Sequence, residues 1–525
     1  GTSYPNAITC PLISATTRLF YDSIAHTNGD GNLYYHTGSG TNLHGVLWSD
    51  LKYSIRLDLI VKAIEEEYPS IQFSDDFFNQ TNSTYYNLYM WMHRTKGVAK
   101  SSTTSAPLYS QIVDSFTPTG TFIPNINNNG TTVSNFAFGA KTSSTVTISN
   151  SSANAYNVVV RLNGSIYQTE ANKTQNYSFS LNNMPTGTWT ITLESVTSNT
   201  FSNNNSNGVS WEFTSVQNQG EYYATITSST VQINEIFSFF PTQQLPELKI
   251  IDFLKGLFKM FNLTAYVVDD IIKVTTLDAF YSTFETYDIS KYVDVNSSKV
   301  NVALPYKQIN FNYADYNTYL ASVFNQLNNE EFGALEYKGE ENLTWVGSDY
   351  KIDLPFQKMM YERLKNENGG WLTNIQYGLM NDDNLEPYIG KPLIHYVNLR
   401  PNGSTIISFR DSETAHSQVL RYYIPLNSNG INGTDQSLHF NAEIDEYALT
   451  QNNETLFENY YKNYIQDVFN EKRRITKVSA YLPLRVLLKY NLSDRFVINS
   501  ISYKINSITT NLETGKSELE LLNEV

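Results

Sequence analysis

Two stretches of the chain share one hydrophobic rhythm. LKYSIRLDLIVKAIEEEYPSIQFSDDFF, near the start, and LPELKIIDFLKGLFKMFNLTAYVVDDIIKV, residues 245–274, each begin with helical periodicity and end with strand-like alternation. In the first, Ser49-Asp50 can cap a helix carrying Ile60, Val61, Ile64 and Tyr68 on one stripe, with Pro69 ending it. Ile71 and Phe73 then alternate with Gln72 and Ser74. Aligning Asp58 with Asp252 puts Leu57 over Ile251, Leu59 over Phe253, Ile60 over Leu254, Ala63 over Leu257 and Ile64 over Phe258. With a one-residue gap, Tyr68 falls on Phe261 and Phe73 on Tyr266, and each stretch closes on an acidic pair, Asp75-Asp76 and Asp269-Asp270. The pattern predicts a building unit used twice: helix, tight turn, strand. The second helix is apolar over a wide arc of Ile251, Phe253, Leu254, Leu257, Phe258, Met260 and Phe261. Burying about six such side chains at ~1.5–3 kcal/mol each is worth roughly 10 kcal/mol before entropy. The arc is therefore expected to lie on its own sheet on one side and under another domain or subunit on the other.

Elsewhere the periodicity divides the chain into five parts. Residues 1–118 open with short strands and polar turns, NGDGN at 28–32 and HTGSGTN at 36–42 reading as loop tips; NGDGN lacks the alternating acids of a calcium loop. They continue through the first unit to a second predicted helix, NSTYYNLYMWMHRTKG, with Tyr85, Leu88, Tyr89 and Met92 one turn apart, and end in a small, polar linker containing SSTTSAP. Residues 119–216 are β throughout. Phe136/Phe138, Val146/Ile148, Tyr156/Val158/Val160/Leu162, Tyr177/Phe179/Leu181, Trp189/Ile191/Leu193 and Val209/Trp211/Phe213 alternate between polar turns, as in an inserted immunoglobulin-like sandwich without a cysteine bridge. Residues 217–300 hold the second unit. Residues 301–454 mix strands with a short helix around Leu320, Phe324 and Leu327. In 455–525, TLFENYYKNYIQDVFNEKRR predicts an amphipathic helix with Leu456, Tyr460, Tyr464 and Val468 aligned. ITKVSAYLPLRVLLKY, DRFVINSISYKINSITTNL and SELELL follow as strands, with a hairpin turn at Glu513-Thr514-Gly515. The fold class expected is α+β, mostly β.

Composition narrows the function. Hydrophobic content of 41% against 17% charged residues in 525 is globular and sufficient for several domains. Of the 14% aromatics, 38 are Tyr and 6 Trp, which suits sheet faces and protein contacts. A formal net charge of −15 argues against general nucleic-acid binding and against an anionic membrane surface. One cysteine, Cys10, excludes an internal disulfide framework and a cysteine zinc site; a buried inert thiol is the expectation. No apolar run reaches the roughly 20 residues of a membrane span. The chain starts at Gly1 without a signal segment, so it is expected to begin after processing or to lack an N-terminal piece. The Asn-x-Ser/Thr triplets, such as Asn163-Gly-Ser and Asn176-Tyr-Ser, are expected by chance in so Asn/Ser/Thr-rich a chain.

Four sets of segments, ISATTRLFYDSIAH with LWSDLKYSIRL, SDDFFNQTNSTYYNLYMWMHRTKG, LPFQKMMYERL with NLEPYIGKPLI, and above all YYKNYIQDVFNEKRR with SDRFVINSISYKINSITTNLETGKSELELLN, resemble tail-hub (baseplate hub) proteins of tailed bacteriophages, especially those of Bacteroidota-type hosts. The resemblance covers most of the chain outside 119–216. It implies two related β-barrel-like modules per chain, so that a homotrimer presents six and adapts a six-fold tail tube to a three-fold tip. It further implies a virion protein made in the host cytoplasm, with tail tube, distal tail proteins and a spike or fibres as neighbours, genomic DNA passing only in transit, and no cofactor. The sandwich lies outside the hub core and could touch a host surface glycan.

Catalytic signals are sparse. His26, His36, His44, His93, His395, His416 and His439 show no metal-ligand spacing, and no nucleophile elbow or phosphate-cradling loop occurs. The doublets Asp75-Asp76, Asp269-Asp270, Glu340-Glu341 and Asp382-Asp383 read as solvated turns, since adjacent strand residues face opposite ways. The expectation is a non-enzymatic structural protein whose packing residues are Phe253, Leu254, Leu257, Phe258, Phe261, Tyr460 and Tyr464. The alternatives are a surface or secreted glycan-binding sandwich protein and a cell-wall glycosidase using an unrecognised acid pair.

Overall fold

The computed structural model describes residues 4–16, 18–21, 32–33, 45–46, 50–96, 108–116, 142–151, 153–182, 189–195, 209–217, 220–227, 234–236, 241–302, 306–338, 347–365, 371–401, 407–410, 416–468, 470 and 472–524. Among these, strand far outweighs helix, and one sheet curls into a half-barrel, as expected of an α+β, mostly β chain. The chain forms two compact units: Gly1–Ala99 with Pro241–Ser408 and Gln418–Val525, and Lys100–Phe240 with Phe409–Ser417.

The second unit extends on both sides of the 119–216 predicted for it. Its five-stranded sheet runs in the order 234–236, 108–116, 189–195, 156–162, 165–173, and its four-stranded sheet in the order 220–227, 209–217, 142–148, 177–181. All these pairings are antiparallel. The flanking strands 108–116, 220–227 and 234–236 therefore belong to it, so 108–116 is not linker and 220–227 and 234–236 are not part of the 217–300 unit. Val146, Ile148, Phe179 and Leu181 of one sheet and Tyr156, Val158, Val160, Trp189, Ile191 and Leu193 of the other are buried as the alternation predicts, although Val159 is buried as well and Leu162 is only half-buried. Phe136 and Phe138 lie outside the described residues.

The first unit contains a five-stranded antiparallel sheet ordered 8–9, 54–56, 89–91, 394–401, 421–426. It also contains a six-stranded sheet ordered 286–288, 495–498, 501–510, 516–523, 474–481, 293–302, antiparallel except for its first pair. The latter encloses a core of Ile289, Val478, Ala480, Leu482, Val486, Phe496, Tyr503, Ile505, Leu519 and Leu521. Its predicted hairpin is present: Gly515, at φ 69, lets the chain reverse between Asn511 and Lys516. Part of the predicted strand ITKVSAYLPLRVLLKY is instead one helical turn, Leu484–Leu487, because Pro483 removes a ladder donor and its ring sets a helix-starting φ.

Two helices matter most: α1, Leu57–Glu67, and α2, Ile250–Met260, each of 11 residues with an acid in the first turn, Asp58 and Asp252. The predicted repeat ends with these helices. Helix α1 leaves strand 54–56 directly, so Arg56, not Ser49-Asp50, stands at its N-cap, and its chain then runs irregularly, with Phe73 making a single parallel bridge to Ile272. Helix α2 leads into a regular hairpin, 263–268 with 271–276. The predicted first-copy strand is thus an appendage to the second-copy hairpin, and the two topologies differ. Nor is NSTYYNLYMWMHRTKG one helix. After a single turn, Ser83–Tyr86, the chain becomes strand Tyr89–Trp91, buried at all three positions between strands 54–56 and 394–401. Fully buried aromatic and apolar residues favour a central strand, whatever helical spacing they also satisfy.

Candidate functional site

The apolar arc of α2 is largely covered by its own unit. Phe253, Leu257, Met260 and Phe261 are buried, Leu254 and Phe258 are half-buried, and Ile251 stays 54% exposed. Close approach explains the glycine in mid-helix: a Cβ on Gly256 would lie 2.6 Å from Phe356 Cζ and 2.8 Å from Pro355 Cγ. At the C-terminal end Phe261 meets the rings of Phe77 at 5.3 Å and Tyr460 at 5.2 Å, the latter edge-on. Asn262, at φ 47, ends the helix left-handed, and its Nδ2 donates to the Tyr460 carbonyl at 2.8 Å. The cover expected from another domain or subunit comes, for most of this arc, from other parts of the same chain. Segment 355–356 and the aromatic residues of the same unit supply it.

The C-terminal helix predicted from residue 455 is present but out of register. Phe457–Tyr461 is wound as a π-turn before the α-helical Lys462–Val468. The wider turn moves the buried stripe from Leu456, Tyr460, Tyr464, Val468 to Leu456, Phe457, Tyr461, Ile465, Val468. Tyr460 and Tyr464 become half-buried flanking residues. Tyr460 packs on Phe261, whereas Tyr464 joins Phe258 in lining a cleft of about 430 Å³. Five of the seven predicted packing residues thus cluster around the end of α2, and Phe253 and Leu254 sit one to two turns back.

The cleft is built from Phe258, Tyr306, Tyr350, Tyr461 and Tyr464, with Lys259 and Lys351 exposed in its lining. The Tyr306 and Tyr350 rings approach to 4.9 Å, and Tyr461 donates its hydroxyl to the Lys259 carbonyl. Burial pushes the Tyr464 phenol up to about 12 and Tyr461 higher still, so both hydroxyls stay neutral. An aromatic floor with two cations suits an apolar anchor carrying negative charge. The hairpin 263–276 rises from this cleft, since Leu263 also lines it. Residues 265–271 are all exposed, Val267 at 68%, around a two-residue turn of Asp269 and Asp270 at φ 51 and 63.

Groups of potential catalytic use are placed otherwise. His93 accepts from Lys52 Nζ at Nδ1 (2.9 Å) and donates from Nε2 to the Tyr388 carbonyl (2.8 Å); burial and the Lys52 charge lower its pKa to about 4. His395 donates from Nδ1 to the Tyr396 carbonyl and accepts from Ser54 Oγ, both at 2.8 Å, and burial lowers it to about 4. His439 is buried and held neutral too. His26, His36 and His44 lie outside the described residues, as do Glu340 and Glu341. Asp75-Asp76 and Asp269-Asp270 occupy exposed turns, and Asp382 accepts from the Asn384 and Glu386 amides. Burial pushes the Cys10 thiol up to about 12, which disfavours its thiolate. No group of three His, Cys, Asp or Glu among the described residues could hold a metal ion, and no described helix is long and apolar enough to cross a membrane.

Sequence reasoning missed one buried polar cluster. Lys358 Nζ donates to Asn427 Oδ1 at 2.9 Å and to the Leu438 carbonyl at 3.2 Å, while Asn427 Nδ2 donates to Glu446. Burial drives the Lys358 pKa down and the Glu446 pKa up. These side chains join three segments distant in sequence, and nothing in LPFQKMMYERL marks its lysine as an interior one. No protein-family model matches the chain, and no curated protein matches it.

Proposed function

We propose that the chain is a structural subunit of a phage tail tip: a homotrimeric hub that adapts the tail tube to a spike or fibres and forms part of the DNA-ejection conduit. The observation that carries this reading is exposed apolar surface on ordered elements. Tyr266, Val267, Val268 and Ile271 project from one hairpin, and Leu484 and Leu488 from the turn beside the six-stranded sheet. Surfaces of this kind on an acidic chain fit permanent contacts with other proteins. The resemblance in the C-terminal segments supports it, since residues 474–523 form the greater part of the six-stranded sheet. The repeat does not, because it stops with the two helices. Within this proposal the smaller unit is an immunoglobulin-like peripheral module, facing another tail protein or a host glycan. Trp189 is fully buried there and is not available to stack on a sugar.

Light scattering of the full chain on a sizing column tests the reading. A stable species of three times the chain mass supports it; a strict monomer at micromolar concentration overturns it. Imaging of particles carrying a labelled copy would then place the label at the tail tip.

A further inference from the structure

We propose that the acid-tipped hairpin Leu263–Thr276 of one copy seats in the tyrosine-lined cleft of the next copy, so that copies associate head to tail. The inference rests on the homotrimer reading above and supplies its contact. Two surfaces of one chain carry it by matching in both polarity and charge.

The tip offers Val268 and Ile271 with Tyr266 on one face and Val267 on the other, next to Asp269 and Asp270 in the turn. The cleft offers Phe258, Tyr306, Tyr350 and Tyr464 around the ammonium groups of Lys259 and Lys351. Three apolar side chains, Tyr266, Val268 and Ile271, are exposed on one face of the regular hairpin, with Val267 on the other, an apolar tip suited to a partner. About 430 Å³ is room for a few aliphatic side chains, not for a whole strand, which suits a tip. The turn residues being Asp, where Asn-Gly would give the easiest reversal, puts two carboxylates on the tip to face the exposed Lys259 and Lys351 of the cleft lining.

The chain geometry excludes self-insertion. The hairpin springs from the cleft itself through Leu263, and six strand residues carry the tip about 20 Å away. A tip therefore reaches only the cleft of another copy. Every copy donates one tip and accepts one, a heterologous contact that closes into a ring when the rotation permits. With a net charge of −15 the chains repel one another overall, so association depends on this local complementarity.

The test uses the full chain with its native cysteine removed by Cys10→Ser and two cysteines added, Val268→Cys and Tyr306→Cys. Mild oxidation is expected to link copies covalently only in the double variant, because a disulfide needs Cα atoms about 4.4–6.8 Å apart. In parallel, Asp269→Asn/Asp270→Gly keeps the turn but removes its charge, and should raise the dissociation constant at least tenfold. Combined with Lys259→Glu/Lys351→Glu, the loss should be less than the sum of the two alone. If the wild type associates yet the double-cysteine variant gives no interchain link, or the charge variants associate unchanged, this contact is wrong while the trimer stands. Linkage in Val268→Cys alone would mean tip-to-tip pairing and also overturns it. A monomeric wild type overturns both readings together.

Discussion

Gly256→Ala opposes two effects whose sizes can be compared. In a helix interior alanine is favoured over glycine by about 1 kcal/mol, so on propensity alone the change stabilises α2. The new methyl would lie 2.6 and 2.7 Å from Phe356 Cζ and Cε2 and 2.8 Å from Pro355 Cγ, well inside van der Waals contact. Phe356 is completely buried, so its ring cannot swing into solvent to make room. Overpacking of this kind costs about 1–3 kcal/mol, which leaves a net destabilisation of about 1 kcal/mol for Gly256→Ala. Gly256→Val adds two methyls and a β-branch and should cost roughly 2 kcal/mol more. Because the two units need not unfold together, the measurement should be local. Amide exchange over 250–260 in the native state should speed up about fivefold for the alanine variant and far more for the valine variant. The displaced helix carries Phe258 and Lys259, so association should weaken in the same order. If Gly256→Ala exchanges as slowly as the wild type or more slowly, the 355–356 segment yields freely and the arc is not held as described.

Other consequences are open to simpler measurements. The contribution of His93 and His395 to stability should fall on acidification between pH ~6.5 and ~4, because they stay neutral in the fold to about 4 while the unfolded chain takes up protons from 6.5. Each contributes up to about 1.4 kcal/mol per pH unit in that window and nothing above it, and urea midpoints of His395→Gln should show a shallower slope than those of the wild type. Phe258→Asp places a charge on the cleft wall beside Tyr464 and should leave a soluble, folded chain that no longer associates; normal assembly would show that the cleft is not a contact. Asn262→Gly loses only the side-chain bond to Tyr460, about 1 kcal/mol, whereas Asn262→Ala also strains a left-handed residue and should lose about 2. Equal losses in denaturation would mean that the φ of 47 carries no cost.

What the sequence disclosed depended on whether one face decided an element. Strands 501–510 and 516–523 and their hairpin were legible because residues such as Ile505, Leu519 and Leu521 alternate with solvent-facing ones and Gly515 marks the turn. The segment 82–97 was not, because Tyr89, Met90 and Trp91 are buried on both faces and a fully buried run carries no period. The π-turn at 457–461 was illegible for a different reason. One residue of extra winding leaves the composition of the stripe plausible and shifts only its phase, so Tyr460 and Tyr464 looked like core and proved to be flanks.

The same shift bears on function. With regular winding, Tyr464 would continue the buried stripe into the core; with the π-turn, the buried Tyr461 and Ile465 take that place at the back of the cleft, and the half-buried Tyr464 lines it together with Phe258. The irregularity thus gives up one turn of ideal helix and gains an aromatic contact surface beside the root of the hairpin. That exchange is what a site for a second chain requires, and it explains why residues chosen from the sequence for packing gather at the end of α2 without all being buried there.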